Sequence, residues 1–190
     1  FILSKGHGCL ALYAVLANKG FFDKKELLNF CKFNSILGGH PEKHKIPGVE
    51  ASTGALGHGL SIGAGFAISS KINNVDNKIV VLVGDGEIDE GSIWEASLSI
   101  NKHKLSNITL MIDYNKIQSY GFVKDVLDLE PLQKKLEAFG YKVYEINGHD
   151  INEIKETLIK SNNDNIYPSA IICHSVKGKG FDFAENNPEW

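Results

Sequence analysis

The chain has 190 residues, of which 43% are hydrophobic and 23% charged, and its formal net charge is −3 at pH 7. These proportions are typical of a globular protein and exclude a disordered or collagen-like chain. The weak negative charge argues against a nucleic-acid or anionic-membrane partner, and the longest apolar run, Cys9 to Ala17, is far shorter than the ~20 residues that span a bilayer.

The first part of the chain predicts three helices, at residues 8–18, 23–33 and 60–71. The second of them opens with a capping box, in which Asp23 and Glu26 would satisfy the first amide groups. The third is rich in Gly, Ala and Ser, which is typical of a helix that packs closely on a sheet.

From residue 78 onward, strands and helices alternate. Apolar, β-branched runs predict buried strands at residues 78–83, 108–113, 142–146 and 170–174. Between them, apolar periodicity predicts helices at residues 92–104, 130–139 and 151–161, with Pro131 in the first turn of the second helix and Gly140 as its end. This alternation predicts an α/β fold with a doubly wound parallel sheet flanked by helices. We expect a single domain over residues 1–190, truncated at both ends, because the sequence starts at Phe1 instead of Met and stops at Trp190.

The three cysteines, Cys9, Cys31 and Cys173, are an odd and widely spaced set. They fit neither a disulfide framework nor a zinc-binding spacing, which indicates a reducing compartment and a cytoplasmic location. All three have apolar neighbours, so we expect them to be buried as small hydrophobic residues.

Polar and glycine-rich turns follow all four predicted strands. Because ligands of open parallel sheets bind beyond the carboxyl ends of the strands, we expect these turns to form a pocket along one edge. For His149 and Asp150 a simpler interpretation is that they cap the next helix, and for Asp150 this is the favoured one. The turns are Gly84-Asp85-Gly86, Asp113-Tyr114-Asn115, Asn147-Gly148-His149-Asp150 and Lys177-Gly178-Lys179-Gly180.

The first two of these turns have the chemistry of a metal site. Asp85 is flanked by glycines, and Asn115 lies 30 residues later at the end of a neighbouring predicted strand. A carboxylate and an amide oxygen, with room for phosphate oxygens, suit a hard cation such as Mg²⁺ that holds a diphosphate. A Gly-Asp-Gly run by itself is equally compatible with a tight turn.

Gly84-Asp85-Gly86, followed after 28 residues by Asn115, resembles the thiamine-diphosphate binding motif. The surrounding sequence is similar to transketolase, in particular to the N-terminal half that some bacteria encode as a separate subunit. Each match is weak by itself, but together they follow the family order along essentially the whole chain. They are Leu3-Ser4-Lys5-Gly6-His7, Gly39-His40-Pro41-Glu42, Pro47-Gly48-Val49, Ser52-Thr53-Gly54-Ala55-Leu56-Gly57, Gly84-Asp85-Gly86-Glu87, Glu90-Gly91, Trp94-Glu95-Ala96, Asp113-Tyr114-Asn115, Gly148-His149-Asp150 and Val176-Lys177-Gly178-Lys179-Gly180.

The resemblance implies a cofactor and a metal ion at the predicted edge. Asp85, Asn115 and the backbone carbonyl of Ile117 would ligate Mg²⁺, or Ca²⁺ in its place. His7 and the backbone near Gly86 would hydrogen-bond the diphosphate of thiamine diphosphate. Further cofactor contacts are implied for Gly54, Ala55, Leu56 and Glu87.

The resemblance also implies residues for the sugar substrate and for a partner chain. His40 would meet the hydroxyls of the sugar donor, and His40, His7 and Glu90 are the implied catalytic residues. Glu90 and Glu95 would lie on a helix that faces the partner, with the Trp94 indole adding buried area to that interface. Simpler alternatives are that His7 caps the following helix and that His40 is a solvated turn residue.

The implied activity is the transketolase-type transfer of a two-carbon ketol unit from a ketose phosphate to an aldose phosphate. This chain would be the diphosphate-binding domain of the thiamine-diphosphate-binding fold. Its partners would be sugar-phosphate substrates and a C-terminal transketolase half or subunit that carries the pyrimidine domain. The assembly would be a dimer of this chain or a heterotetramer, and the chain alone would be inactive.

Other interpretations stay open at this point. Deoxyxylulose-phosphate synthase and the first components of 2-oxoacid dehydrogenases use the same cofactor, and a non-catalytic partner subunit could keep the same fold. The spacing Gly57-x-Gly59-x-x-x-Gly63 also suggests a dinucleotide-binding dehydrogenase, although no strand is predicted before it. The chain departs from the usual family pattern at His58, where Gln is usual, and at residues 118–121, which lack an Asp before the glycine.

Overall fold

Seven strands occur in the part of the chain that the computed structural model describes, residues 1–119 and 121–189. They are β1 (Ile2–Leu3), β2 (Ile79–Gly84), β3 (Ile108–Tyr114), β4 (Ile117–Gln118), β5 (Gly121–Phe122), β6 (Lys142–Asn147) and β7 (Ser169–His174). Five of them form a parallel sheet in the order β1-β2-β3-β7-β6, while β4 and β5 form a separate antiparallel hairpin. The predicted parallel α/β architecture is confirmed.

Six α-helices and three short 3₁₀-helices accompany the strands in the same described residues. The α-helices are α1 (Cys9–Asn18), α2 (His58–Ile72), α3 (Gly91–Lys102), α4 (Val123–Val126), α5 (Leu132–Ala138) and α6 (Ile151–Asn162). The 3₁₀-helices are Gly6–Gly8, Lys24–Asn29 and Gly86–Asp89. None of the helices in this part of the chain is long and apolar enough to cross a membrane.

Helices cover both faces of the sheet, as the doubly wound arrangement requires. On one face, Val81 and Leu110 have no exposed surface and belong to a core that includes residues of α2, α3 and α5. On the other face, Met111 and Ile171 pack with Ile154 of α6. Strands that are buried on both faces need apolar residues at nearly every position, which explains the unbroken apolar runs of β2 and β3.

Most predicted elements are observed close to their expected bounds. Strands β2, β3, β6 and β7 agree with the prediction to within one residue, and α1, α2, α3, α5 and α6 correspond to the predicted helices. Pro131 is the N-cap of α5 and lies just before its first turn, while Gly140, with φ +90°, follows the helix end as expected. β1 and the β4–β5 hairpin were not predicted, because strands of two residues carry no detectable periodicity.

The helix predicted at residues 23–33 is wrong. The Asp23 side chain does cap this segment, by accepting a hydrogen bond from the Lys25 amide at 2.9 Å, but the segment is a 3₁₀-helix that ends at Asn29. Cys31 and Asn34 then adopt positive φ angles of 55° and 63°, which a right-handed helix cannot contain. The capping signal at Asp23 was therefore correct, but the helix that follows it is only six residues long.

The prediction that all three cysteines are buried holds for two of them. Cys9 and Cys173 are buried, at 1% and 6% exposure, among apolar residues. Cys31 is exposed, because it lies in the turn that follows the 3₁₀-helix. Its apolar neighbours in the sequence, such as Phe33, are exposed with it.

Close packing of α2 on the sheet explains the small residues of that helix. A Cβ atom placed on Gly63 would lie 2.5 Å from the Val81 Cγ2, whereas one placed on Gly65 would have nothing within 4 Å. Gly63 therefore marks the line along which the helix backbone approaches β2, and Gly65 lies on the outer side of the same helix.

Gly63→Ala should lower the free energy of unfolding by about 1–3 kcal/mol, because α2 must move away from Val81 to admit the methyl group. Gly65→Ala is the matched control, and we expect it to raise stability by roughly 0.5–1 kcal/mol through the higher helix propensity of Ala. Urea denaturation of the two variants measures both effects. Equal changes in the two would contradict the close approach of α2 to β2.

Candidate functional site

The carboxyl ends of the parallel strands lie at one edge of the sheet, and the polar turns lie there together. Gly84 of β2 pairs with Asp113 of β3, and Tyr114 of β3 pairs with His174 of β7. The turn after β6 joins the same edge, since the Gly148 amide donates to the His174 carbonyl at 2.7 Å. The register thus brings together the turns that the sequence pattern predicted to be adjacent.

Asp85 lies at the junction of the turns after β2 and β3. It is 3% exposed, and its carboxylate accepts hydrogen bonds from the Gly86 amide at 2.8 Å and from the Lys116 amide. Loss of hydration raises the pKa of this carboxyl, against the opposite effect of the two amide donors. A buried carboxylate in this position is poised to gain from a bound cation.

Asn115 and Ile117 complete the predicted metal-binding set on the neighbouring turn. The Asn115 side-chain oxygen accepts a hydrogen bond from the Ile117 amide at 3.0 Å, which holds the amide side chain in a fixed orientation. Within the described residues, no cluster of three or more His, Cys, Asp or Glu side chains could hold a metal ion. A cation here would combine the Asp85 carboxylate with neutral oxygens, and this donor set fits Mg²⁺ or Ca²⁺.

Lys5 and Asp113 form an ion pair behind the same junction. The Lys5 ammonium donates to the Asp113 carboxylate, which also accepts from the Ser175 hydroxyl. Loss of hydration would raise the pKa of Asp113, but Lys5 and the hydrogen bonds from Lys5 and Ser175 outweigh it and keep the pKa below its usual value. Neither residue was predicted as a site residue, although both belong to motifs at strand ends.

His7 and His40 converge on the edge from two loops. The His40 ring packs on backbone, since its Cδ2 lies 3.0 Å from a Cβ placed on Gly6 and 3.1 Å from one placed on Gly54. Although His7 is exposed, partial loss of hydration lowers its pKa, and the nearby Lys5 and His40 lower it further. Both effects favour the neutral form of the His7 imidazole.

His7 does not cap the following helix, which was its simpler interpretation. It lies in the middle of the 3₁₀-helix Gly6–Gly8, and α1 begins after Gly8 without a side-chain cap. His40 is exposed, as its alternative interpretation as a solvated turn residue required, but its ring is fixed between two loops.

The loop with Gly54, Ala55 and Leu56 presents open surface beside these histidines. Leu56 is 41% exposed, so its side chain is open to a ligand that binds at this edge. The preceding Thr53 hydroxyl is buried without a hydrogen-bond partner in the described structure. Because orphaned buried hydroxyls are rare, this one fits a loop that a polar ligand completes.

Glu87 lies behind the exposed edge. It is 2% exposed, and its carboxylate accepts hydrogen bonds from the Ser4 hydroxyl and from the amides of Gly57 and Gly84 at 2.9 and 3.1 Å. A contact between Glu87 and a bound cofactor, as the resemblance implies, would require the release of these partners.

Glu90 and Glu95 are exposed at the start and along the side of α3. Trp94, next to Glu95 in the sequence, is half-buried. Its indole donates to the Ile88 carbonyl at 2.9 Å, and its ring lies 5.0 Å from that of Phe139. The indole therefore packs in part within its own chain, and its contribution to a partner interface stays a prediction.

In the turn after β6, Asp150 and His149 have different roles, which the sequence alone did not distinguish. Asp150 caps α6, since its carboxylate accepts from the amides of Asn152 and Glu153 at 2.8 and 3.2 Å, as predicted. His149 accepts a hydrogen bond at Nε2 from the Val176 amide at 2.8 Å. His149 thereby anchors the start of the glycine-rich turn at residues 177–180.

The structure at the N-terminus of α2 contradicts the dinucleotide-binding interpretation. No strand occurs in residues 50–57 ahead of the helix, as the fingerprint would require. The Gly57 and Gly59 amides at the helix start already donate to Glu87 and Ser4. A pyrophosphate would find these two amide groups already occupied.

Cavities lie at both edges of the sheet in the described part of the chain. One, of about 630 Å³, lies at the carboxyl edge and is lined by Asn115, Ile117, His174 and Ser175 among others. Another, of about 510 Å³, lies at the opposite edge, where Lys71, Asp76 and Asn107 line it, and contains none of the predicted site residues. The cavity at the carboxyl edge thus adjoins Asn115 and Ile117, two of the three predicted metal ligands.

Comparisons with known proteins identify the family of the chain. The family model described as "Transketolase, thiamine diphosphate binding domain" matches residues 1–189. The chain is 47% identical over 190 residues to one of the named subunits of the apulose-4-phosphate transketolase of Actinobacillus succinogenes, a match that covers 100% of this chain and 68% of that protein. It is 38% identical over 184 residues to the 6-deoxy-6-sulfo-D-fructose transketolase subunit SqwG of Clostridium sp., covering 97% of this chain and 67% of that one.

Solved structures give the same result. The fold matches that of the transketolase from Campylobacter jejuni with a TM-score of 0.92 and 34% sequence identity. The match covers 99% of this chain and 30% of that one, so the chain corresponds to under a third of a solved transketolase. The chain therefore belongs to the transketolase family, in which it corresponds to the thiamine diphosphate binding domain.

Proposed function

We propose that this chain is the diphosphate-binding half of a two-subunit enzyme that transfers a ketol unit from a ketose phosphate to an aldose phosphate. The observation that carries the proposal is the identity of 47%, over the whole chain, to a protein named as one subunit of a transketolase. The edge that holds Asp85, Asn115, His7 and His40 supports it. Bound thiamine diphosphate would supply the carbanion chemistry of the transfer.

The chain's own residues would hold the cofactor through its diphosphate. Asp85, Asn115 and the Ile117 carbonyl would bind Mg²⁺, whose remaining ligands would be phosphate oxygens. His7 and the Gly86 backbone amide would donate to the diphosphate, since an imidazole has an N–H donor in both its neutral and its charged form. Exposed Leu56 would support the organic part of the cofactor from the adjoining loop.

His40 would recognise the sugar. Its ring is fixed between two loops and its outer edge is open, so that a hydroxyl of the donor can approach the imidazole. With His7, it would also hold or move protons as the sugar reacts. Apulose 4-phosphate is the first donor to test, because it appears in the names of relatives that are 47% and 42% identical.

A second subunit with the pyrimidine-binding domain would complete the site, and the assembly would be a dimer of this chain or a heterotetramer. Relatives named as subunits support this part of the proposal. The exposed Glu90 and Glu95 on α3 would face that second chain. A cytoplasmic location is in keeping with the three free cysteines.

Ketol transfer should require both subunits. We expect the full-length protein, mixed with its partner subunit, Mg²⁺ and thiamine diphosphate, to convert apulose 4-phosphate and an aldose phosphate into a chain-lengthened ketose, detected by mass spectrometry. The sulfosugar named for the second relative serves as an alternative donor. Transfer by this chain without a partner, or no transfer from any ketose tested with both subunits present, would contradict the proposal.

His40→Ala should raise the KM for the ketose about tenfold, which corresponds to the loss of one hydrogen bond, and leave the affinity for thiamine diphosphate unchanged. His103→Ala is the matched control, because His103 follows α3 at the opposite edge of the sheet. Steady-state kinetics and a separate cofactor titration distinguish the two effects. A variant that loses cofactor but keeps its KM would assign His40 to the diphosphate instead.

A further inference from the structure

One buried carboxylate connects three separate segments of the chain behind the site. Glu87 accepts, at Oε1, from the Ser4 hydroxyl and the Gly57 amide, and at Oε2 from the Gly84 amide. Ser4, which has no exposed surface, extends the connection, because its Oγ accepts from the Gly59 amide at 3.1 Å. We call Glu87, Ser4 and these three glycine amides the carboxylate hub.

The segments that the hub joins are those proposed to bind the cofactor. Residues 4–7 carry His7, residues 54–57 carry Leu56, and residues 84–86 carry Asp85. Ser4 and Glu87 are 83 positions apart in the chain, so no local structure sets their relative position. The hub is a direct side-chain connection between all three segments in the described structure.

Helix α2 depends on the hub for the cap of its N-terminus. Its N-cap residue is Gly57, with φ +79°, and the helix has no side-chain cap of its own. A Cβ on Gly57 would lie 2.3 Å from the Ser92 hydroxyl, so a capping side chain cannot replace the glycine there. Glu87 and Ser4 therefore satisfy the first amides from outside the helix, and a carboxylate at this end is also stabilised by the helix dipole.

We propose that Glu87 is a positioning residue, which touches neither the diphosphate nor the metal but fixes the three cofactor-binding segments relative to one another. This inference rests on the proposed function and deepens it. It replaces the direct cofactor contact that the family resemblance implied for Glu87. The physical reason is that Glu87 has three donors and 2% exposure, so its carboxylate is already satisfied within the chain.

Glu87→Gln tests this role with little change of shape. The substitution turns one of the two acceptor oxygens into an NH₂ donor. If the NH₂ group takes the position of Oε2, it faces the Gly84 amide; if it takes that of Oε1, it faces the Gly57 amide. In both orientations two donors oppose each other, and at least one of the three segments loses its connection.

We expect Glu87→Gln to weaken the binding of thiamine diphosphate, with Mg²⁺ present, by about tenfold or more, as removal of groups that orient metal ligands does. Titration calorimetry of the full-length protein with its partner subunit measures this at a temperature where circular dichroism shows the variant to be folded. Ser161→Ala is the matched control. It removes a buried hydroxyl that bonds Thr109 at the start of β3, away from the site, and should lower Tm while changing affinity less than about twofold.

Amide hydrogen exchange of the cofactor-free protein provides a second readout. We expect faster exchange in Glu87→Gln at residues 4–8, 54–60 and 84–87 together, and no such change in Ser161→Ala. Wild-type cofactor affinity in folded Glu87→Gln, or faster exchange confined to residues 84–87, would overturn the proposal. If the wild-type protein binds no thiamine diphosphate, the proposed function fails. The exchange rates of Glu87→Gln then still test the hub: faster exchange in all three segments supports the link between them, and unchanged exchange contradicts it.

Discussion

The pairing of β2 with β3 is the constraint on which the site depends. This register places Gly84 beside Asp113, so that the turns after the two strands start at the same level. Asp85 can then accept a hydrogen bond from the Lys116 amide of the other turn, while Asn115 is held by its own turn two residues before Ile117. If the register of β2 against β3 shifted by one residue, Asp85 would point to the other face of the sheet, and the oxygens that suit a cation would be separated. The two strands pair along six residues, from Ile79 with Ile108 to Gly84 with Asp113, and the ladder in the core thus sets the chemistry of the edge.

Around this pair, loops from distant parts of the chain are joined by buried polar contacts as well as by apolar packing. Lys5 reaches Asp113 from the loop after β1, and Glu87 joins that loop to the start of α2. Each contact combines an acceptor carboxylate with donors that would otherwise be buried without partners, which makes the arrangement specific as well as stable. These contacts are all made by groups of the protein itself, and they would preorganise the edge for a cofactor.

The sequence predicted what depends on local pattern and missed what depends on long-range contact. Asp85 and Asn115 could be placed at the same edge because the carboxyl ends of parallel strands meet there. Asp150 could be assigned as a cap because capping is local. The burial of Glu87 could not be predicted, since its partner Ser4 lies 83 positions away. The contact between the rings of Trp94 and Phe139 could not be predicted either, because it joins two separate helices. The start of the 3₁₀-helix Lys24–Asn29 could be predicted from its cap at Asp23. Its early end could not, because no local sequence pattern indicates the positive φ of Cys31.

The most direct measurement is the affinity of the assembled enzyme for thiamine diphosphate, determined by titration calorimetry with Mg²⁺ and with EDTA, for the wild type, Asp85→Ala and Asp76→Ala. Asp76 is the matched control, because its side chain is 90% exposed at the opposite edge of the sheet. A metal-dependent site predicts that EDTA and Asp85→Ala each weaken binding by roughly two orders of magnitude or more, through loss of a charged ligand, while Asp76→Ala binds as the wild type does. Wild-type affinity in Asp85→Ala, or affinity unaffected by EDTA, would contradict the claim that this edge holds the diphosphate through a metal ion.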